Sequence, residues 1–290
     1  MRLSTFASIA LAAFAACLFF TGAAEAKQNK PDRVVIRYVP PTDEKLRPVY
    51  EYIKQARALE QMQPLLRPLK LPRTLVIEAA GCAGDSNAWY EDDKVTICYE
   101  FIDDFWKDSS STTTASGIAP IDTFIGPFVD VVLHEVGHAV FDMLKIPVFG
   151  REEDAADQFS AYIMLRFPKD QARRLIMGNA YQYKSDVAGH KLPLSLEHFA
   201  NEHGTGAQRF FNVLCLAYGS DPKLYADSVE KGYLPKERSE ACEAEYKQVT
   251  FAFDTLIRPH IDRRLARKLY AVWLPPADKP PPPRPRTGVR

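Results

Sequence analysis

The chain contains Asp130-Val-Val-Leu-His134-Glu135-Val-Gly-His138-Ala-Val, in which two histidines stand four residues apart within an apolar run. On an α-helix, positions i and i+4 share a face one turn apart, so both imidazoles can address a single cation. Glu135 adjoins the first histidine, where its carboxylate can reach a water on that cation and act as a general base. Two buried, hydrogen-bonded core histidines are the plain alternative. Catalytic zinc takes three protein ligands and keeps one position open for water, so a third donor is required. The segment Arg151-Glu-Glu-Asp-Ala-Ala-Asp157 supplies candidates: Glu153 as the ligand and Asp157, one turn further, as the partner for the outer ring nitrogen of His134. Glu152 and Asp154 are expected to be solvated, as acidic residues in a helix's first turn commonly are. One zinc ion per chain is the expected cofactor.

His-Glu-x-x-His followed by Glu-x-x-x-Asp on a second helix resembles the gluzincin metallopeptidases, the thermolysin-like enzymes. Asp130-Val-Val and Ala139-Val140 are similar to the active-site helix of that family, and Asn87-Ala88-Trp89-Tyr90 to its edge strand. Together with Cys98-Tyr99-Glu100 and Gln208-Arg209-Phe210-Phe211-Asn212, the chain from residue 27 onward also resembles a bacterial metallopeptidase family of unknown substrate. The resemblance implies His134, His138 and Glu153 as ligands, Glu135 as base and Asp157 beside His134. It also implies Asn87, Ala88 and Trp89, with Tyr90, as the edge that pairs with the substrate backbone. Fourteen residues lie between His138 and Glu153, a shorter connection than in thermolysin-like enzymes, and their calcium-binding insertions have no counterpart. Calcium is not expected.

Hydrolysis through such a site develops negative charge on the carbonyl oxygen, which calls for a donor besides the metal. His203, in Ala200-Asn-Glu-His203-Gly, is the candidate, with Asn201 and Glu202 placed to orient its ring; a surface histidine beside a turn is the alternative. The implied activity is hydrolysis of peptide bonds in a peptide or protein substrate. Two other readings stand beside it: a non-catalytic, zinc-stabilised binding or scaffold module, against which Glu135 argues, and a zinc amidase acting on cell-wall peptides.

These residues need a scaffold. Val34-Val-Ile-Arg-Tyr-Val-Pro, Thr74 to Ala79 and Lys94 to Phe101 read as strands, and a helix is expected from about Asp43 to Leu69. Lys107 to Pro120 is crowded with Ser, Thr and Gly and reads as a mobile surface loop, placed in sequence to serve as a lid. Helical patterns then run to Leu144, from Glu152 to about Phe167, and on to about Tyr270. The expected fold is α+β and zincin-like: a small amino-terminal sheet lobe (about 33–120) with the active-site helix, and a mainly helical carboxy-terminal lobe (about 121–273).

The first 26 residues place one Arg before an apolar run and end in Ala24-Glu25-Ala26, the pattern of a cleaved signal peptide, which implies export to the periplasm or beyond. A membrane anchor and a lipid anchor on Cys17 are the alternatives. No later segment is expected to span a bilayer. Cys82, Cys98, Cys215 and Cys242 form an even set suited to an oxidising compartment. Three pairings are possible; Cys82 with Cys98 and Cys215 with Cys242 is favoured because both close short loops, over a four-cysteine zinc site. The first bridge would hold the substrate-binding edge in register. With 37 basic and 37 acidic residues there is no global field toward nucleic acid or anionic lipid. Residues 274–290 are a proline-rich tail, and oligomeric state leaves no trace in the sequence.

Overall fold

The β-branched run at Val34–Tyr38 forms β1, which pairs in parallel with β2 (Leu75–Ala80), as Ile36 opposite Ile77 sets the register. The computed structural model describes residues 33–189, 196–266 and 274–278; the expected leader at 1–26 and the tail beyond residue 278 lie outside them. β2 alternates buried and half-buried residues, so Leu75, Ile77 and Ala79 face the core. A parallel pair needs a long crossover, and it is made by α1 (Arg47–Gln55) and α2 (Ala58–Leu66). The single helix expected here is two. Ile53 and Leu59 are both fully buried, but six residues advance a helix by about 240°, so one straight helix could not bury both stripes. The chain resolves this at Arg57, which adopts a left-handed conformation (φ 51°).

β4 (Lys94–Cys98) pairs in parallel with β2 and antiparallel with β3 (Ala88–Glu91), giving the order β1-β2-β4-β3 with β3 at the edge. Strand continuation through Phe101 does not occur. After Cys98 the buried residues are Tyr99, Ile102, Phe105 and Trp106, a helical spacing, and they form α3 (Tyr99–Asp108). Tyr99 Oη donates to the carbonyls of Val39 and Ala79, joining the start of α3 to the sheet.

α4 (Pro120–Leu144) is the central element, packed on the sheet, α3, α5 (Glu152–Met164) and α6 (Lys169–Gly189). α4 is by length and composition apolar enough to cross a membrane, but 83% of its most apolar stretch is buried inside the protein, which accounts for that composition. α4 and α6 cross at backbone contact: a Cβ on Gly178 would lie 2.0 Å from the Asp122 carbonyl oxygen. Only glycine permits that approach. α7 (Gly206–Ser220) opens with a capping box between Thr205 and Gln208. The short helices α8 (Ala226–Glu230) and α9 (Lys236–Ser239) lead to α10 (Cys242–Leu256). Disulfides join Cys82 to Cys98 and Cys215 to Cys242, the second tying α7 to α10. The fold is α+β, a small mixed sheet with a mostly helical remainder.

The Ser/Thr-rich segment before α4 is not placed as a lid. It buries Ile118, whose carbonyl accepts the Thr114 N–H and whose own N–H donates to Thr114 Oγ1, and it meets the Tyr233 hydroxyl through Ser116 at 2.9 Å. None of its described residues lines the cleft around His134.

Candidate metal centre

His134 and His138 leave the same face of α4 with ring centroids 4.9 Å apart. Their Nε2 atoms are 3.2 Å from each other, and Glu153 Oε2, from the first turn of α5, lies 2.9 Å from one and 3.4 Å from the other. Ligands at about 2.0–2.1 Å around a tetrahedral ion are separated by about 3.3–3.4 Å. The three donor atoms are therefore spaced like three corners of such a site, and two imidazoles with one carboxylate are a donor set that suits zinc.

Each outer ring nitrogen has a carboxylate: His134 Nδ1 lies 2.8 Å from Asp157 Oδ1, and His138 Nδ1 lies 2.8 Å from Glu152 Oε1. An Nδ1–H donated outward leaves both Nε2 lone pairs facing inward, toward Glu153. Glu152, expected as a solvated first-turn residue, thus has a specific partner, although 54% of its side chain is exposed. Asp154 does behave as a surface residue and pairs with Arg151.

Asp157 is itself held. Arg209, from α7, donates Nε to Oδ2 at 2.7 Å and Nη2 to Oδ1 at 2.5 Å, and its guanidinium lies 4.6 Å from the Tyr183 ring centroid. Burial opposes ionisation of Asp157, but the adjacent Arg209 charge holds its carboxyl below the usual range. Asp130, one turn before His134, is buried and accepts from Ser160 Oγ and Tyr183 Oη, each at 2.6 Å. Nothing in the sequence marked Arg209, Tyr183 or Glu152 for these contacts. Arg209 stood in a recognisable segment, but no spacing relates it to Asp157.

Glu135 is buried and lines the same cleft; burial pushes its carboxyl above the ordinary value, with the neighbouring imidazoles working in the opposite direction. His203 Nε2 is 2.8 Å from Glu153 Oε2, and its ring stacks at 5.8 Å on that of His134. Asn201 does not orient that ring; its Oδ1 accepts the backbone N–H of His203.

The cleft, of ≈ 470 Å³, is bounded on one side by Asn87 and by β3, whose Ala88, Trp89 and Tyr90 line it. Tyr90 Oη donates to Asp142 Oδ2 at 2.8 Å, pinning the edge strand to the end of α4. At the other end of β3, the Asn87 carbonyl accepts the N–H of Cys98, whose sulfur is bonded to Cys82. A larger, mainly apolar cavity of ≈ 570 Å³ lies between α2, α5 and α10, but among the described residues the grouping of His134, His138 and Glu153 falls in the smaller cleft.

A family model described as "Putative metallopeptidase" matches residues 38–257. No curated protein and no solved structure matches the chain.

Proposed function

The chain belongs to this metallopeptidase family, and from that premise we propose that it is an exported, zinc-dependent peptidase of gluzincin type, with His134, His138 and Glu153 as ligands and Glu135 as general base. The observation that carries the reading is the convergence of three donor atoms within 3.4 Å of one another, both histidines being backed by carboxylates on their far nitrogens. When bound, zinc supplies a Lewis acid that makes water acidic near neutral pH and polarises a carbonyl oxygen. Glu135 takes the proton from the attacking water and passes it to the leaving amine; its burial-raised proton affinity suits a group that must hold a proton between those events. His203 donates to the oxygen that gains charge as the peptide carbon becomes tetrahedral. The substrate backbone lies along Asn87 to Tyr90, where β3 is the edge strand of the sheet among the described residues. Asp157 and Glu152 keep the imidazoles in register. The amino-terminal leader and the two disulfides support an oxidising, extracytoplasmic location.

The test is Glu135→Gln against wild type, with metal content and cleavage of a peptide library measured on the same preparations. Cleavage should fall by about 10²–10⁴-fold and should be chelator-sensitive in the wild type, while both proteins retain one zinc per chain. A Glu135→Gln protein that cleaves as well as wild type refutes the assignment of the base. Zinc-loaded wild type that cleaves nothing refutes the peptidase reading in favour of a zinc-stabilised module.

A further inference from the structure

Upstream of the histidines the cleft ends against α6. Asn179, Gln182 and Tyr183 occupy positions i, i+3 and i+4 of that helix and so share one face, and all three line the cleft together with Pro127, Asp130 and Arg209. Asn179 is 2% exposed, and it also borders a second cavity of ≈ 360 Å³ behind this wall.

The wall is polar, but its charges are committed. Arg209 is paired in bidentate fashion with Asp157, and both oxygens of Asp130 already accept from hydroxyl groups. Gln182 donates to Asp108 at 3.3 Å. The Asn179 side chain differs: no hydrogen bond to its amide is found among the described residues, and the amide is not sealed off from the cleft it lines. A buried amide without a partner is costly, and one that faces a cleft has its partner in whatever the cleft receives.

We propose that Asn179 is a specificity-determining residue, and that the recess it forms with Gln182 and Tyr183 receives an uncharged, hydrogen-bonding side chain (Asn, Gln, Ser or Thr) of the residue flanking the scissile bond. This rests on reading the cleft as a peptidase site. Place and chemistry both enter. Asp130 lies one turn, about 6 Å, from His134, no more than about two residues of extended peptide, so the recess is within side-chain reach of a residue adjoining the bond at the ligands. A charged side chain would lose its water there and find every counter-charge already paired. An apolar one would bury the Asn179 amide unpaired. A neutral polar side chain avoids both penalties.

The experiment uses zinc-loaded protein and decapeptides varied at the two positions flanking the cleaved bond, read as kcat/KM. Binding of the same peptides to zinc-loaded Glu135→Gln protein is measured by calorimetry. At one flanking position, Asn, Gln, Ser and Thr should exceed Leu and Lys by tenfold or more. Asn179→Leu should reverse the order of Gln and Leu. Asn179→Asp, of the same shape, should favour Lys and carries the test if Asn179→Leu fails to fold. Cleavage that favours Leu or Lys in the wild type, or a preference unmoved in a folded Asn179 variant, overturns the inference and leaves the peptidase reading intact. Absence of cleavage with the same polar preference in binding overturns the peptidase reading and retains only the polar selectivity of the recess. Neither cleavage nor selective binding overturns both.

Discussion

Asp157→Asn separates two tasks that one carboxylate performs. The wild-type side chain holds His134 Nδ1 at 2.8 Å and accepts two bonds from Arg209, at 2.7 and 2.5 Å. An amide keeps the shape and removes the charge. Loss of the charge behind a ligating histidine weakens metal binding by about 10–100-fold, or about 1.4–2.7 kcal/mol at 1.36 kcal/mol per decade. The second effect is on the fold, because Arg209 is left without its counter-charge. Removing one member of a buried pair costs about 3–5 kcal/mol. Since 22% of the Arg209 side chain and 20% of the Asp157 side chain remain exposed, solvent screening favours the lower end, about 3 kcal/mol. Adding Arg209→Gln should recover most of that loss, as two neutral amides can bond to each other, and should leave metal affinity weak. Urea unfolding of metal-free protein reads the stability change, and competition with a chromophoric chelator reads the metal affinity. Metal affinity within twofold of wild type in Asp157→Asn would refute the orienting role. A double variant less stable than the single one would refute the charge-pairing account.

In metal-free protein, burial disfavours the His134 imidazolium, but hydrogen bonds to Asp157 and Glu153 outweigh it and push its pKa up to about 10. A pKa raised above the unfolded value, about 6.5, stabilises fully below that value and ceases to do so as pH rises through the folded one. The urea midpoint of metal-free protein should therefore fall between pH 7 and 10 for this group, a decline absent once zinc has displaced the proton; a flat profile in both forms contradicts it. Zinc affinity should rise about tenfold per pH unit for each proton displaced, as the same chelator competition at pH 6 to 8 will show. Replacing Cys82 and Cys98 together by Ser opens a loop with a sequence separation of 16 and should cost about 3 kcal/mol in unfolding free energy. It should also raise KM, because the bridge adjoins the Asn87 end of the substrate-binding edge; an unchanged KM in the folded variant removes the edge-holding role.

What could be read in the chain was whatever short-range geometry controls. Two histidines four apart in an apolar run share a helix face whatever surrounds them, and Glu153 and Asp157 are related in the same way, so the composition of the cluster was legible before any fold was known. The neighbouring pair Glu152 and Glu153 shows where that legibility ends. Adjacent helical residues point about 100° apart, and only the angle at which α5 docks on α4 decides that Glu153 meets the inner nitrogens and Glu152 the outer nitrogen of His138. Tyr99 reads as strand from its neighbours, yet the sheet ends at Cys98 and packing turns the chain into α3. Arg209 stands 52 residues beyond Asp157, and Asn179 reaches the cleft only because Gly126 and Gly178 let α6 lie against α4. Local periodicity determined the proposed ligands; the docking of distant helices decided which groups hold them and which side chains line the cleft.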